Sequence, residues 1–90
     1  MPSLRTQFGR KLRHLRLSRD ITQERFAEEI GISVTFLGLI ERGVNAPSFE
    51  TIEDIAHTLK ISVAELFSFE VLPRRGAPDE RARATRRKSR

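Results

Sequence analysis

Three acidic residues stand close enough along the chain to raise the possibility of acid–base chemistry. Glu50, Glu53 and Asp54 lie early in a predicted helix, and paired carboxylates can act as general acid and base. We recognise no histidine in the position of a catalytic base, and the chain does not offer the set of ligands that a metal site needs. We interpret the carboxylates as a solvated helix face, and we expect no enzymatic activity, no metal site and no cofactor.

A different chemistry is indicated by residues 22–43, TQERFAEEIGISVTFLGLIERG, whose spacing predicts two short helices joined by a tight turn. Gly31 stands where the first helix would end, at a position that favours a residue without a Cβ. Ser33 would cap the second helix, and Gly43 would close it. The positions expected to lock the two helices together are apolar: Ala27, Ile30, Leu37 and Ile40. Ala27 must be small if the second helix crosses close over it. This pattern is typical of a DNA-binding helix-turn-helix.

The sequence resembles the phage-repressor/Cro (Xre-type) family of bacterial transcription regulators, which includes small controller proteins of restriction–modification systems. The resemblance rests on Arg16 before the motif and on four ordered segments: TQERFAEEIGIS, LGLIERG, NAPSFETIEDIAHTL and ISVAELF. It extends from about Leu4 to Phe67. It implies an all-α fold, a compact five-helix DNA-binding domain like that of a phage repressor, and a bacterial or phage origin.

Length and composition are consistent with one small domain. The chain has 90 residues and no cysteine, and no apolar run approaches the roughly 20 residues needed to span a membrane. We therefore expect a cytoplasmic protein without a membrane contact. The net charge of +5 is unevenly distributed, because residues 73–90 carry eight basic and two acidic groups. We predict a domain over 1–72 and a disordered basic tail over 73–90, which either adds phosphate contacts or only increases solubility.

A first amphipathic helix is predicted from about Ser3 to Arg19. Its apolar positions recur at helical spacing: Leu4, Phe8, Leu12 and Leu15. Most of its arginines are interpreted as a solvated surface. The resemblance implies that Arg16 differs, because the family pairs this arginine with the glutamate that here is Glu41. Such a pair would tie the first helix to the end of the second helix of the motif.

The resemblance also implies two sets of DNA contacts. The residues expected to meet base edges are Val34, Thr35, Gly38 and Leu39. The residues expected to meet phosphates are Gln23, Ser33, Arg42, Asn45 and Ser48. Because relatives often have glutamine, arginine or asparagine at the base-facing positions, the methyl groups here predict T-rich half-sites and a large share of shape readout. In the alternative interpretation, an outward apolar surface of Val34, Phe36 and Leu39 binds another protein, as in an antitoxin or a regulator's partner.

Two further helices complete the predicted fold. Ser48 would cap the fourth helix, whose buried face is predicted to be Phe49, Ile52, Ile55, Ala56 and Leu59. Ser62 and Glu65 suggest a capping box at the start of the fifth helix. The apolar residues that follow are too dense for a small core to hide them all, so we expect a homodimer. The predicted dimer-interface residues are Val63, Leu66, Phe67, Phe69 and Leu72.

Overall fold

The computed structural model describes residues 2–69, and within that range five helices are joined by turns and loops, with no strand. The helices are α1 (Leu4–Ser18), α2 (Gln23–Ile30), α3 (Val34–Glu41), α4 (Phe49–Leu59) and α5 (Val63–Leu66). The predicted all-α, five-helix architecture is confirmed, and α1 lies within one residue of its predicted bounds at each end. Leu72, the boundary at residue 72 and the predicted tail 73–90 lie outside the described residues.

Each helix begins after a serine or threonine whose side-chain oxygen accepts a hydrogen bond from the backbone N–H three residues later. The five caps are Ser3, Thr22, Ser33, Ser48 and Ser62. These bonds satisfy backbone donors that a helix start leaves without an intrahelical acceptor. The predicted capping box of α5 is only half present, because the Glu65 carboxylate accepts from Lys11 Nζ at 3.2 Å. A salt bridge to α1 therefore replaces the predicted return bond.

The first four helices share one C-terminal geometry. After each, a residue with positive φ reverses the chain, and the next backbone N–H donates to a carbonyl five residues earlier at 2.9–3.2 Å. The positive-φ residues are Asp20, Gly31, Gly43 and Lys60. The two glycines were predicted as helix ends. Asp20 and Lys60 adopt the same conformation without the freedom that glycine has, so composition gave no signal for them.

The core lies where α1, α2, α3 and α4 meet. Its largest fully buried side chains are Leu12, Phe26, Leu37, Ile40, Ile55 and Leu66. The four residues predicted to lock α2 against α3 are all buried, with Ala27 and Ile30 on α2 and Leu37 and Ile40 on α3. The interlocked pair of helices expected from residues 22–43 is therefore present.

Two residues assigned from helical periodicity to buried faces are exposed. Phe49 has 83% of its surface exposed, and Leu4 has 59%. Both are the first residue of a helix. Periodicity identifies the side of a helix that faces the core, but it does not show how far along the helix the core extends.

The end of the described chain closes the core. Leu66 is fully buried within the protomer, whereas Phe67 and Phe69 pack partly against the core. The ring of Phe67 lies 5.1 Å from that of Phe8 and 6.1 Å from that of Phe69, centroid to centroid. The prediction that Leu66 faces a partner subunit is therefore wrong, because its side chain is buried in the core of its own protomer.

Candidate nucleic-acid interface

The second helix of the motif, α3, is anchored on one side and open on the other. Leu37 and Ile40 have no exposed surface, while Thr35 is exposed and Val34 retains 39% exposure. Leu39 is half-buried. The Ser33 hydroxyl accepts from Phe36 N at 3.0 Å and sets the first turn of the helix. The arrangement presents the start of α3 on a rigid support, which is what readout by an inserted helix requires.

Phe36 differs from the sequence-based interpretation. It is half-buried and packs against the core, so it is not a free outward residue. The apolar set proposed for protein binding is therefore reduced to Val34 and the partly covered Leu39. The solvent-accessible groups of α3 are therefore the methyl groups of Val34 and Leu39 and the hydroxyl of Thr35.

A buried ion pair joins α1 to the end of α3. Arg16 donates to the Glu41 carboxylate through Nε at 2.7 Å and through a terminal nitrogen at 3.0 Å. Both residues have only 5% of their surface exposed. Arg16 also donates to the carbonyl of Ile21 at 2.7 Å, which holds the turn between α1 and α2. The planar guanidinium thus connects three segments that must keep their relative positions if α3 is to be presented correctly.

Gln23 joins the same network. Its side-chain amide nitrogen donates to Glu41 Oε1 at 2.9 Å. The sequence assigned Gln23 to phosphate contact and gave no sign of this bond, because the two residues are 18 positions apart. The bond fixes the first side chain of α2 beside the end of α3. It leaves the amide oxygen and the second amide hydrogen available to other partners.

Gly38 is buried rather than open to solvent. A Cβ built at this position would lie 3.5 Å from an Arg42 guanidinium nitrogen and 3.9 Å from the Gln23 amide nitrogen. Two of the five side chains predicted to meet phosphates, those of Gln23 and Arg42, therefore flank Gly38 on α3. The predicted base contact of Gly38 would require an approach past these two side chains.

The remaining predicted phosphate contacts lie at helix ends and in the α3–α4 loop. Ser33 and Ser48 are N-caps, so each hydroxyl already accepts a backbone hydrogen bond. Arg42 is exposed just after α3, and Asn45 is half-buried with its backbone N–H donating to the carbonyl of Leu39 at 3.3 Å. These four residues therefore flank α3 at its start, its end and in the following loop.

Gly9 is a structural requirement that sequence reasoning missed. A Cβ at this position would meet the backbone carbonyl oxygens of Ile40 and Glu41, the latter at 2.7 Å. Only glycine lets α1 approach the end of α3 this closely. The available signal was a glycine inside a strongly helical pattern, which often marks a close contact.

Other classes of site receive no support from the described part of the chain. Residues 2–69 contain no group of three or more His, Asp or Glu side chains arranged to hold a metal ion. Within the same range, no helix is both long and apolar enough to cross a membrane.

The comparisons with known proteins agree with this geometry. Residues 12–66 match the family model described as helix-turn-helix. An uncharacterized HTH-type transcriptional regulator, YazB of Bacillus subtilis, is 49% identical over 59 residues, covering 66% of this chain and 86% of that protein. The crystal structure of ClgR, the clp gene regulator of Corynebacterium glutamicum, is similar with a TM-score of 0.70 and 34% identity, covering 72% of this chain and 69% of that one.

A third relative is matched over almost its whole length. The restriction–modification controller protein C.AhdI of Aeromonas hydrophila has a crystal structure that matches with a TM-score of 0.66 and 34% identity. The match covers 69% of this chain and 94% of that protein. Nearly the whole of a small controller protein is therefore similar to the described helices.

Proposed function

The chain belongs to the helix-turn-helix family of DNA-binding transcriptional regulators, and from that premise we propose that it binds a pseudo-palindromic operator as a homodimer. Each protomer inserts α3 into the major groove of double-stranded DNA. Two-fold symmetry then requires half-sites about one helical turn, roughly 34–36 Å, apart. Regulation of transcription follows from where the operator lies relative to a promoter.

The observation that carries the proposal is the contrast between the two sides of α3. Leu37 and Ile40 are fully buried while Val34 and Thr35 stay accessible, so the helix is fixed by one side and readable from the other. The buried Arg16–Glu41 pair supports the proposal further, since it holds the end of α3 to α1. A rigidly held recognition helix loses little conformational freedom on binding DNA.

The accessible side chains indicate the sequence preference. Val34 and Leu39 offer methyl groups, which contact the thymine methyl favourably, and the Thr35 hydroxyl can donate to or accept from a base edge. None of the three can form the bidentate bonds that select guanine or adenine. We therefore propose T-rich half-sites in which the shape and flexibility of the DNA contribute much of the specificity.

Phosphate contacts position the duplex in this proposal. Gln23 lies at the N-terminus of α2, where backbone N–H groups and the helix dipole favour an anion. Arg42 adds a full charge at the end of α3, and Ser33, Asn45 and Ser48 add polar groups on either side. Such contacts set the register of the protein on DNA without reading its sequence.

Dimerisation in this proposal uses apolar residues that the protomer leaves exposed. Phe49 at 83% and Val63 at 42% exposure are the large apolar side chains at the α4 and α5 starts. Burying them between two protomers removes apolar surface from water. Phe67 and Phe69, both half-buried, lie at the end of the described chain and would border such an interface.

A protein-binding module is the alternative function. It depends on an apolar outward surface of α3, and the half-burial of Phe36 against the core weakens that surface. A test separates the two functions: the Val34→Ser/Leu39→Ser variant should lose specific DNA binding. If that variant keeps DNA binding and instead loses a complex with another protein, the alternative is correct.

The direct test is selection of bound duplexes from a random pool by the intact 90-residue chain at near-physiological salt, followed by sequencing. We expect a two-fold-symmetric, T-rich motif whose half-sites are one helical turn apart. An asymmetric motif would contradict the dimer, and a motif without thymine runs would contradict the proposed readout. Recovery of no motif at all would reject sequence-specific DNA binding.

A further inference from the structure

We propose that Arg10 and Arg13 of α1 bind phosphodiester groups of the DNA backbone in a groove shared with Arg42. The inference rests on the proposed function and extends the DNA contacts from the helix-turn-helix to the first helix. The groove is open to solvent and lies between α1, the start of α2 and the end of α3. Its lining residues are Thr6, Arg10, Arg13, Gln23, Glu41 and Arg42.

The three groove arginines differ from the other arginines of the described chain. Every other arginine within residues 2–69 donates a side-chain hydrogen bond: Arg5 to Val44, Arg16 to Glu41 and Ile21, Arg19 to Leu15 and Leu59, and Arg25 to Glu29. Within that same range, Arg10, Arg13 and Arg42 have no such bond and no ion pair. Three guanidinium groups without internal partners therefore border one groove.

The one carboxylate in the groove does not neutralise these charges. Glu41 is 5% exposed, and its two oxygens already accept from Arg16 at 2.7 and 3.0 Å. Oε1 also accepts from Gln23. Because the Arg16–Glu41 pair is electrically balanced, the field in the groove is set by Arg10, Arg13 and Arg42. That field is positive and attracts an anion.

The chemistry of the lining favours phosphate oxygens. Guanidinium forks bind phosphate through two parallel hydrogen bonds, and Gln23 and Thr6 supply further polar groups. Arg10 and Arg13 are one helical turn apart, so they present their charges along α1 rather than at one point. An open groove with charges in a row fits an extended polyanion better than it fits a compact ligand.

The groove is continuous with the proposed DNA-reading surface. Arg42 and Gln23, which flank Gly38 on α3, also line the groove. A duplex whose phosphates reach these two residues can therefore continue toward α1. The same basic chemistry would also hold a free phosphorylated molecule, and the experiment below separates that source from the DNA backbone.

The test measures the salt dependence of DNA binding by the full chain, using the duplex selected above. Each phosphate contact contributes about 0.9 to the slope of log K against log salt. The variant Arg10→Gln/Arg13→Gln should therefore have a slope shallower by about 1.8 for each bound protomer. Arg10→Lys/Arg13→Lys, which keeps the charges, should retain most of the slope.

The matched control is Arg19→Gln/Lys60→Asn, which removes two positive charges where the end of α1 meets the end of α4. Arg19 is the C-cap of α1 and donates to the carbonyl of Leu59 at the end of α4. On α1 the groove is lined only by residues that precede Arg19, from Thr6 to Arg13. The control should leave the slope nearly unchanged. Equal losses in the control and in Arg10→Gln/Arg13→Gln would overturn the inference, since they would reflect net charge alone. An unchanged slope in the groove variant would also overturn it.

Two further measurements keep the outcomes distinct. Thermal melts should show that the groove variant is folded; if the double variant melts early, each single variant should still lose about 0.9 of slope. Inorganic phosphate is then added at constant ionic strength. If it stabilises only the wild type while the DNA slopes are equal, the groove holds a free anion and the inference is overturned. If the wild type binds no duplex specifically, the proposed function itself fails.

Discussion

At the scale of single residues, the buried Arg16–Glu41 pair joins α1 to the end of α3. Desolvating two charges is costly, and the cost is offset here by two direct bonds between them and by the bonds to Ile21 and Gln23. Replacing both partners of such a pair with apolar residues of similar volume often leaves the free energy of unfolding unchanged or raises it. Loss of one partner is different, because it leaves the other charge buried without a counterion.

Replacing Arg16 with alanine should therefore lower the free energy of unfolding by about 3 kcal/mol or more. The matched control is Arg25→Ala, which breaks the exposed i,i+4 pair with Glu29 at 3.1 Å. That change should cost no more than about 0.5 kcal/mol, because water and salt screen an exposed pair. Urea unfolding of the two variants measures both values. Similar losses of unfolding free energy in the two variants would contradict the argument that burial makes the Arg16–Glu41 pair costly to break.

Thr35 is the exposed polar side chain at the start of α3, and the proposed function makes it a reader of base edges. Thr35→Ala should reduce discrimination between the selected operator and random DNA by about 1–3 kcal/mol. Nonspecific affinity should be nearly unchanged. Competition binding with both duplexes measures this difference. A parallel loss on operator and random DNA would mean that Thr35 meets phosphate or only supports the fold.

At the scale of helices, the ends and close approaches determine the geometry more than the helix interiors do. Four helices stop at a positive-φ residue, but two of those residues are not glycine. Lys60 has φ of 60° after α4, where a Cβ is unfavourable. Glycine at this position would relieve that strain, at the cost of a more flexible unfolded chain.

Lys60→Gly should raise the free energy of unfolding by about 0.5–1 kcal/mol. Gly31→Ala is the reverse control, since φ at Gly31 is 78° and a Cβ added there would meet no atom within 4 Å. It should lose about 1 kcal/mol through backbone strain alone. Thermal or urea unfolding checks both signs. A loss of stability in Lys60→Gly would show that the lysine side chain contributes more than the strain costs.

The approach of α1 to α3 gives a second prediction at this scale. Gly9→Ala should destabilise the fold by about 1–3 kcal/mol, because its Cβ meets the Ile40 and Glu41 carbonyls, which cannot move independently of α3. Gly38→Ala is the control within α3, where the nearest side-chain atom would be at an ordinary 3.5 Å. Alanine there should be neutral or stabilising by up to about 1 kcal/mol. Equal effects at both glycines would refute the steric argument.

At the scale of the whole molecule, the basic groove and the most exposed aromatic side chain lie on different helices. The three arginines without internal partners lie in the α1–α3 groove, while the strongly exposed Phe49 lies at the start of α4. Covering the Phe49 ring with another surface would remove apolar area from water. A second copy of the chain is the partner we propose.

Phe49→Ser should weaken dimerisation by about tenfold or more, since burying a phenylalanine is worth roughly 1.5–3 kcal/mol. The stability of each folded protomer should change little, because Phe49 makes few contacts within it. Leu17→Ser provides the control, since Leu17 is likewise an exposed apolar residue, with 48% of its surface accessible, but it lies on α1. Sedimentation velocity over a concentration series measures the dissociation constants. Unchanged dimerisation in Phe49→Ser would move the interface elsewhere.

Local features of the sequence determined the helices and the motif. Serine and threonine caps, glycine at two helix ends and apolar spacing are short-range signals, and they predicted the five helices and the α2–α3 lock correctly. The family resemblance added the Arg16–Glu41 pair. These predictions succeeded because their causes act within a few residues of the chain or within one repeated motif.

Only the tertiary structure decided which side chains the core covers and which distant groups meet. Phe49 is exposed although periodicity placed it on the buried face of α4, because periodicity gives the direction of a side chain but not the extent of the surface it faces. Leu66 is buried in the protomer although the density of apolar residues around it predicted an interface. The Gln23–Glu41 bond, the close approach at Gly9 and the groove shared by Arg10, Arg13 and Arg42 join residues from different helices. Such contacts depend on how rigid helices pack in three dimensions, which local sequence patterns do not encode.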